Sequence, residues 1–205
     1  MQDNTEFTPI RPDAHLLSEQ EKIAIISKNM HEIMHTLGLD LTDDSLKRTP
    51  ERFAKMYVTE IFSGLNPINK PSITLFENKY NYNQMLVEKN ITLYSMCEHH
   101  FVPIVGKAHV AYISDGKVIG LSKINRIVNY FARRPQVQER LTKQIANEFK
   151  QILGTQNVAV VVDANHFCVA SRGVGDTASS TITAEMGGLF LTDYNTRTEF
   201  LNYIK

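Results

Sequence analysis

Two short stretches of cysteine and histidine constrain this fold more than any other feature of the sequence. The first is CEHH at residues 97–100, and the second is HFC at residues 166–168. The chain of 205 residues has only two cysteines, Cys97 and Cys168, and each stretch holds one of them. If the stretches form one site, the fold must join segments that lie 71 positions apart.

The residue types in these stretches are typical of a zinc site. Thiolate and imidazole groups are ligands that Zn²⁺ prefers, at roughly 2.0–2.3 Å. Cys97 and His100 can both reach one ion if the chain turns at His99. His166 and Cys168 lie two apart and share one face of an extended chain, so they can address the same site. Three protein ligands leave a fourth position for water, whose pKa zinc lowers to about 7.

The same stretches have a plainer interpretation. Each cysteine can be a small buried hydrophobe and each histidine a satisfied core or surface group, and the spacing fits no zinc finger. The N-terminal sequence lacks the pattern of a signal peptide, so we expect a cytoplasmic protein, in which a structural disulfide is disfavoured. Loss of a shared metal would nevertheless leave Cys97 and Cys168 close enough to oxidise.

The charge balance argues against several classes of partner. Lysine plus arginine and aspartate plus glutamate number 22 each, so no global field favours nucleic acid or an anionic membrane. No run of about 18 apolar residues is present, so we expect no membrane span. Anion binding must therefore come from a local cluster of cations.

Apolar periodicity predicts that the chain begins with helices. Ser18 and Glu21 form a capping box ahead of a helix that Gly38 ends. A second helix is expected to start with Thr49 as its cap and Pro50 in its first turn. Both helices have one apolar face at helical spacing, which is typical of packed helices.

A linker rich in proline and asparagine, at 66–71, follows these helices. We therefore expect an N-terminal arm and helical region at 1–70 and a second domain at 71–205. The Asp115-Gly116 pair is a hairpin turn within that domain. Strands and helices are grouped rather than alternating, which favours an α+β fold with an antiparallel sheet. The elements predicted for the second domain are strands at 91–95, 106–113, 117–121, 157–168 and 179–190, and helices at 122–134, 137–153 and 197–204.

A cluster of cations lies at the predicted start of a helix. Ser122 can cap this helix, and Lys123 and Arg126 lie one turn apart on one face, where free N–H groups and the helix dipole attract anions. Arg52 and Arg172 can add charge, and several cations aimed at one point suggest a polyphosphate. The alternative is a solvated helix start with ordinary surface cations.

Gln138 and Glu139 are candidates for recognising a base. A carboxylate can accept two parallel hydrogen bonds, and guanine offers N1–H and N2–H₂ side by side. Taken alone, such a pair on a helix is usually just exposed. The neighbouring cations also suggest a solvated face: Arg133, Arg134, Arg140 and Lys143.

Together these motifs resemble the GTP cyclohydrolase I family, from about residue 15 to the C-terminus. Several long motifs in the correct order are far more specific than a pair of candidate ligands. The resemblance is carried by LKRTPERFAKMY, SMCEHHFVPIVGKAHVAYI, VIGLSKINRIVNYFARRPQVQERLT, DANHFCVASRG and GGLF.

The resemblance implies a role for each matching position. Cys97, His100 and Cys168 should hold one zinc ion per subunit, which leaves His99 and His166 for proton transfer. Glu139 and Gln138 should recognise guanine. The triphosphate should be held by Ser122, Lys123, Arg126, Arg172 and Arg52.

The resemblance also implies a reaction and an assembly. The reaction is hydrolytic opening of the guanine imidazole ring of GTP at C8, with release of formate and rearrangement to 7,8-dihydroneopterin triphosphate, the first step of pterin and folate synthesis. The fold is the tunnelling fold, in which antiparallel sheets from several subunits join into a barrel with helices outside. The expected assembly is a homodecamer of two pentamers, with sites between subunits and Arg52 as the candidate contributed by a neighbour.

Two other functions remain open at this point. A nitrile reductase of queuosine synthesis has the same type of fold and binds a related base through a glutamate, but uses a cysteine nucleophile and a nicotinamide cofactor, and should lack the paired CEHH and HFC stretches. A zinc-stabilised module could instead bind nucleic acid through the arginine-rich segment at 133–143. The net charge of zero argues against that module.

Overall fold

The computed structural model describes residues 8–205, which divide into two units. The helical unit spans residues 9–69, and the sheet unit holds residues 70–205 together with Thr8. The functional division predicted at residue 70 stays a prediction. No helix within residues 8–205 is both long and apolar enough to cross a membrane.

The first helix of the helical unit, α1 (Glu19–Thr36), begins at the predicted capping box. The Glu21 N–H donates to Ser18 Oγ at 3.3 Å, and the Ser18 N–H donates back to Glu21 Oε2 at 2.8 Å. Gly38 follows the helix with a φ of +82°, a left-handed conformation that favours glycine. The sequence therefore predicted both ends of this helix.

The second helix, α2 (Thr49–Met56), starts one residue earlier than predicted. Arg48 is its N-cap, without a side-chain hydrogen bond, and Pro50 lies in the first turn. The Thr49 N–H already donates to Leu46 O at 2.8 Å, so the chain has turned before Thr49, which is the first helical residue and not the cap. A π-helical turn at Tyr57–Ile61 and short 3₁₀ turns at Ser63–Leu65 and Pro67–Asn69 complete the unit.

The sheet unit is built on five strands: β2 (Met85–Cys97), β3 (Pro103–Ile113), β5 (Pro135–Gln136), β6 (Val158–His166) and β7 (Thr181–Met186). They form one sheet with the order β5-β2-β3-β6-β7. Its pairings are antiparallel except for the short parallel pair between β2 and β5. The mixture of helices and a largely antiparallel sheet agrees with the predicted α+β class.

The predicted hairpin after β3 is wrong in its pairing. A turn does form at 115–116, but the strand that follows, β4 (Lys117–Ile119), pairs with β1 (Leu75–Glu77) in a separate two-stranded sheet. The physical reason is that both edges of β3 are already occupied, by β2 on one side and β6 on the other. A central strand has no free edge to offer a third partner.

Two longer helices, α3 (Leu121–Ala132) and α4 (Gln138–Leu153), contribute to the main core of the sheet unit. The predicted apolar face of α3 is buried, but Ser122 is not its cap. Gly120 is the N-cap, because the Lys123 N–H donates to Gly120 O at 2.8 Å and the first turn has formed before Ser122. Helix α4 ends at Gly154, whose φ is +67°, as predicted.

Strand β6 is apolar on both faces because both faces of the sheet are covered. Val158, Val160 and Val162 belong to the main core, whereas Ala159 and Val161 belong to a second core. That second core contains Phe190 and Phe200, from the C-terminal helices α6 (Leu189–Thr192) and α7 (Tyr194–Tyr203). The predicted terminal helix is therefore present and starts three residues earlier than expected.

Acid should destabilise the fold through His109, which is buried in β3. Burial lowers the pKa of His109 below its ordinary value of 6.5; Asp163 opposes this shift, and Lys107 and Lys89 add to it. The unfolded chain therefore binds a proton here more readily than the folded chain. The free energy of unfolding should therefore begin to fall as the pH drops below 6.5. It should continue to fall until the pH reaches the lower pKa that His109 has in the folded protein.

This expectation can be checked by urea unfolding across that pH range. The midpoint should fall with pH in the wild type and fall less steeply in His109→Gln, because glutamine does not titrate. Glutamine also keeps an acceptor for the Asn90 N–H, which donates to His109 Nδ1 at 3.4 Å. Equal slopes for the two proteins would contradict the assignment to His109.

Candidate metal and substrate site

The CEHH stretch forms a tight turn at the end of β2. The Phe101 N–H donates to Cys97 O and the Cys97 N–H donates to Val102 O, both at 2.9 Å. Phe101 adopts a φ of +52°, a conformation that few non-glycine residues take. The chain therefore turns between Cys97 and Phe101, as the candidate ligand pair Cys97 and His100 requires.

Cys168 reaches the same place by a route that differs from the predicted one. Strand β6 ends at His166, which lies opposite Ile104 of β3, and the chain then forms one helical turn, α5 (Phe167–Ala170). The predicted extended chain through Cys168 is wrong, because the backbone becomes helical at Phe167. That turn, rather than strand alternation, positions the Cys168 thiol.

Cys97, His100 and Cys168 form a group that could bind a metal ion. Their candidate donor atoms all lie within 4.8 Å of one another. A tetrahedral zinc ion with ligands at 2.0–2.3 Å holds its donors roughly 3.5 Å apart, so small side-chain movements complete the geometry. Within residues 8–205, no second group of three such side chains meets the same distance.

The Cys168 thiol favours its protonated form in the metal-free protein. Burial raises the pKa of the Cys168 thiol, a hydrogen bond with Cys97 raises it further, and the Arg172 charge opposes both. A metal ion between the two sulfurs acts in the opposite direction, because it stabilises thiolates. The donor set therefore suits a thiophilic ion such as zinc.

An ion pair between Glu98 and Arg140 holds the turn that carries two of these donors. Arg140 Nη2 donates to Glu98 Oε2 and, at 3.2 Å, to Pro135 O, while Arg140 Nε donates to Gln136 Oε1 at 3.2 Å. The Glu98 N–H donates to Gln136 O at 3.0 Å, so backbone and side chain are both fixed. The Arg140 side chain is only 10% exposed, which corrects its interpretation as part of a solvated face.

Replacing Arg140 should weaken metal binding without removing a ligand. Arg140→Met leaves Glu98 and Gln136 without their partner, so we expect about 2 kcal/mol less stability and roughly tenfold weaker zinc affinity. Competition with a chromophoric chelator measures the affinity. Lys150→Met is the matched control. Lys150 lies on the same helix as Arg140, and the substitution breaks its ion pair with Glu185 (3.1 Å). Equal zinc affinity in both variants would contradict this role for Arg140.

A second arginine of the same segment is packed against aromatic rings and only partly exposed. The guanidinium of Arg134 lies 4.5 Å from the ring centre of Tyr130 and 4.7 Å from that of Phe131. Burial lowers the pKa of Arg134. With Arg134 and Arg140 both engaged inside the fold, segment 133–143 lacks the row of free cations that a nucleic-acid surface needs.

The two candidate proton-transfer histidines lie in different surroundings. His99 is exposed, with its Nδ1 at 3.7 Å from Cys97 Sγ. His166 is partly buried, and its Nε2 is 2.7 Å from Gln138 Oε1. Burial lowers the pKa of His166, and the Glu139 charge opposes that shift. His99 therefore lies beside a candidate metal ligand, and His166 lies beside a candidate for base recognition.

Gln138 and Glu139 begin α4, but their side chains point to different roles. Glu139 is exposed and lines a pocket of about 170 Å³ together with Thr142, Thr183 and Glu185. Gln138 is 1% exposed, and its amide group is hydrogen-bonded within the fold. The Gln138 side chain is therefore engaged within the fold, and recognition of guanine by Gln138 stays a prediction.

The candidate phosphate ligands lie in three places. Ser122, Lys123 and Arg126 are in the first turns of α3, where Ser122 and Arg126 are exposed. Arg172 follows α5 and is close enough to Cys168 to influence the pKa of its thiol. Arg52 belongs to α2 of the helical unit, where it donates to Arg48 O (3.4 Å) and Ser45 O (3.3 Å).

Comparison with known proteins gives consistent matches. The GTP cyclohydrolase I family model matches residues 26–205. The relative named GTP cyclohydrolase 1 from Flavobacterium johnsoniae is 60% identical over 197 residues, which cover 96% of this chain and 88% of the relative. Relatives of the same name from Enterobacter sp. and Escherichia coli are 57% and 56% identical over 198 residues, or 97% of this chain and 89% of each relative. A solved structure, the archaeosine synthase QueF-Like in the apo form, is similar over 51% of this chain and 94% of that chain, with a TM-score of 0.43 and 17% identity.

Proposed function

Because this chain belongs to the GTP cyclohydrolase I family and is a hydrolase acting on GTP, we propose that it opens the imidazole ring of guanine at C8. The reaction releases formate and continues by rearrangement to 7,8-dihydroneopterin triphosphate, the first step of pterin and folate synthesis, in the cytoplasm. The observation that carries this proposal is the convergence of Cys97, His100 and Cys168 within 4.8 Å, beside two further histidines.

The proposed metal is zinc, one ion per subunit, held by Cys97, His100 and Cys168. Two thiolates and one imidazole match the ligands zinc prefers, and three protein ligands are typical of catalytic sites. When bound there, zinc supplies Lewis-acid chemistry and lowers the pKa of a water to about 7. Glu98 and Arg140 keep the Cys97–His100 turn in the geometry this requires.

His99 and His166 are the proposed proton-transfer groups. His99 is exposed beside Cys97, which suits protonation of N7 while the imidazole ring opens at C8. His166 then handles protons during ribose opening and the Amadori rearrangement. A positioned acid or base contributes roughly 10²–10⁴-fold to a rate, so both residues should matter more for turnover than for substrate affinity.

The proposed substrate contacts separate the base from the phosphates. Glu139 accepts guanine N1–H and N2–H₂ at the pocket that it lines, and the main chain of Gln138, in the first turn of α4, is the group left to assist. The triphosphate is assigned to Ser122, Lys123, Arg126, Arg172 and Arg52.

The proposed assembly is a homodecamer of two pentamers in which sheets from several subunits close a tunnelling-fold barrel. The support is the exposed edge of the sheet, because β7 pairs with β6 on one side and its residues Thr181 and Ile182 are exposed. Edge strands with free N–H and C=O groups invite pairing with another chain. In such an assembly, Arg52 is the candidate to reach a neighbouring subunit's site.

One incubation tests substrate, reaction and metal together. Purified protein is given GTP with and without a zinc chelator, and formate is followed alongside the fluorescence of the oxidised pterin product. We expect both signals, their loss on chelation and their return when zinc is restored. Absence of both signals from zinc-loaded, oligomeric protein would rule out this reaction. Reduction of a nitrile that depends on a nicotinamide cofactor would move the proposal to the reductase alternative.

A further inference from the structure

We propose that Gln138 is a positioning residue that holds His166 in a single tautomer, with the proton on Nε2 and the lone pair on Nδ1. The proposal deepens the proposed function and rests on it for the role of His166 in moving protons. It assigns to Gln138 a task inside the fold instead of a side-chain contact with guanine.

The orientation of the Gln138 amide is determined by its neighbours. Its Nε2 lies 3.0 Å from Val162 O and 2.8 Å from Thr181 O. Both carbonyls can only accept, so the group facing them must be the NH₂ group, which donates two hydrogen bonds. The flipped amide would place Oε1 against two carbonyl oxygens and leave a buried group unsatisfied, which costs about 1–3 kcal/mol.

Two threonines extend this network and agree with its direction. Thr142 Oγ1 donates to Gln138 O at 2.8 Å, so its proton is already used. The hydroxyl of Thr183, 2.6 Å from Thr142 Oγ1, must then donate to Thr142. Thr183 Oγ1 can then only accept where it faces Gln138 Nε2, at 3.2 Å, and it shares one of the two NH₂ protons with a carbonyl oxygen. Both threonine hydroxyls therefore agree with an amide whose NH₂ group faces this side.

The consequence for His166 follows from hydrogen-bond polarity. With its nitrogen engaged, Gln138 presents only Oε1, an acceptor, to His166 Nε2 at 2.7 Å. Only an Nε2–H can complete this bond, so neutral His166 keeps its lone pair on Nδ1. The side chain of Gln138 is 1% exposed, so water does not compete for its oxygen. The hydrogen bond to Gln138 therefore leaves the lone pair of neutral His166 on Nδ1.

The first test reads the tautomer of His166 in the wild-type protein. Zinc-loaded protein labelled with [¹⁵N]histidine is examined by magic-angle-spinning NMR at about pH 8, where an ordinary histidine is neutral. The His166 signals are assigned by their loss in His166→Ala. We expect a protonated Nε2 and a bare Nδ1. A proton on Nδ1 would overturn the proposal, whether or not the protein turns over GTP.

The second test separates positioning from simple structural support. Gln138→Leu should lower kcat for formate release about 10–100-fold, with KM for GTP within about threefold and zinc content unchanged, since a reacting group shifted by about 1 Å can cost 10²-fold. Its spectrum should show both tautomers of His166. Thr155→Val is the control, because Thr155 is a buried polar residue whose Oγ1 accepts from the Asn157 N–H at 3.1 Å, outside this network.

The outcomes of the second test are distinguishable. Thr155→Val should lose stability while keeping wild-type kcat and tautomer. If Gln138→Leu also kept both, the proposal would be wrong. If the wild type released no formate but showed the expected tautomer, the proposed reaction would fail while the positioning of His166 by Gln138 stood. If Gln138→Leu did not fold, the wild-type spectrum would still decide the question.

Discussion

Cys168→Ala should lose its bound zinc and, with it, release of formate from GTP. The substitution leaves Cys97 and His100 as the remaining donors of the group that lies within 4.8 Å. Losing a residue that merely orients a ligand costs roughly 10–100-fold in metal affinity, so losing a ligand should cost more than about 100-fold. Metal content by mass spectrometry, measured after gel filtration, checks the loss directly.

A neighbouring substitution controls for damage to α5. Val169→Ala shortens the next side chain of the same helical turn and leaves all three donors in place. Val169→Ala should therefore keep its zinc and most of its activity. Full zinc content in Cys168→Ala would mean that Cys168 is not a ligand, whatever happened to the activity.

His99→Ala should have the opposite signature, in which zinc is retained and turnover is lost. His99 is exposed, and its Nδ1 lies 3.7 Å from Cys97 Sγ, next to the donor group but outside it. Removal of a positioned acid typically costs roughly 10²–10⁴-fold, so kcat should fall by that factor. Single-turnover formate release and zinc content, measured on the same preparation, test both parts.

His31→Ala provides the comparison, because it removes an exposed histidine from α1 in the helical unit. This variant should retain both zinc and kcat. The assignment of roles within CEHH would be reversed if His99→Ala lost its metal while Cys168→Ala kept it.

Local rules predicted most of the helices because each depends on nearby residues. The capping box at Ser18 and the left-handed Gly154 are set by interactions within a few positions of the chain. The pairing of β4 with β1 was missed because it depends on which strand edges are already occupied. No local pattern contains that information. The family motifs predicted the group of Cys97, His100 and Cys168 that the structure brings together, whereas spacing alone left a metal site and inert thiols as alternatives.

The roles of buried polar side chains were missed for a related reason. Arg140 and Gln138 look like surface residues of a helix, and the sequence gives no sign of their partners in the 98–101 turn and in β6 and β7. Periodicity separates apolar from polar faces, but it does not distinguish a polar side chain in water from one in a buried network. The only available signal was that both residues lie within a family motif.

The candidate metal donors lie far apart along the chain, so the fold must bring them together before a metal can bind to all three. Cys97 and Cys168 are 71 positions apart, and closing a loop of that length costs about 4 kcal/mol of chain entropy. The β2–β3–β6 pairing brings the two ends together. A zinc ion bound at the proposed site would therefore join segments that the sheet already holds together, and it would stabilise the fold by mass action, in contrast to a zinc finger, whose folding requires the ion.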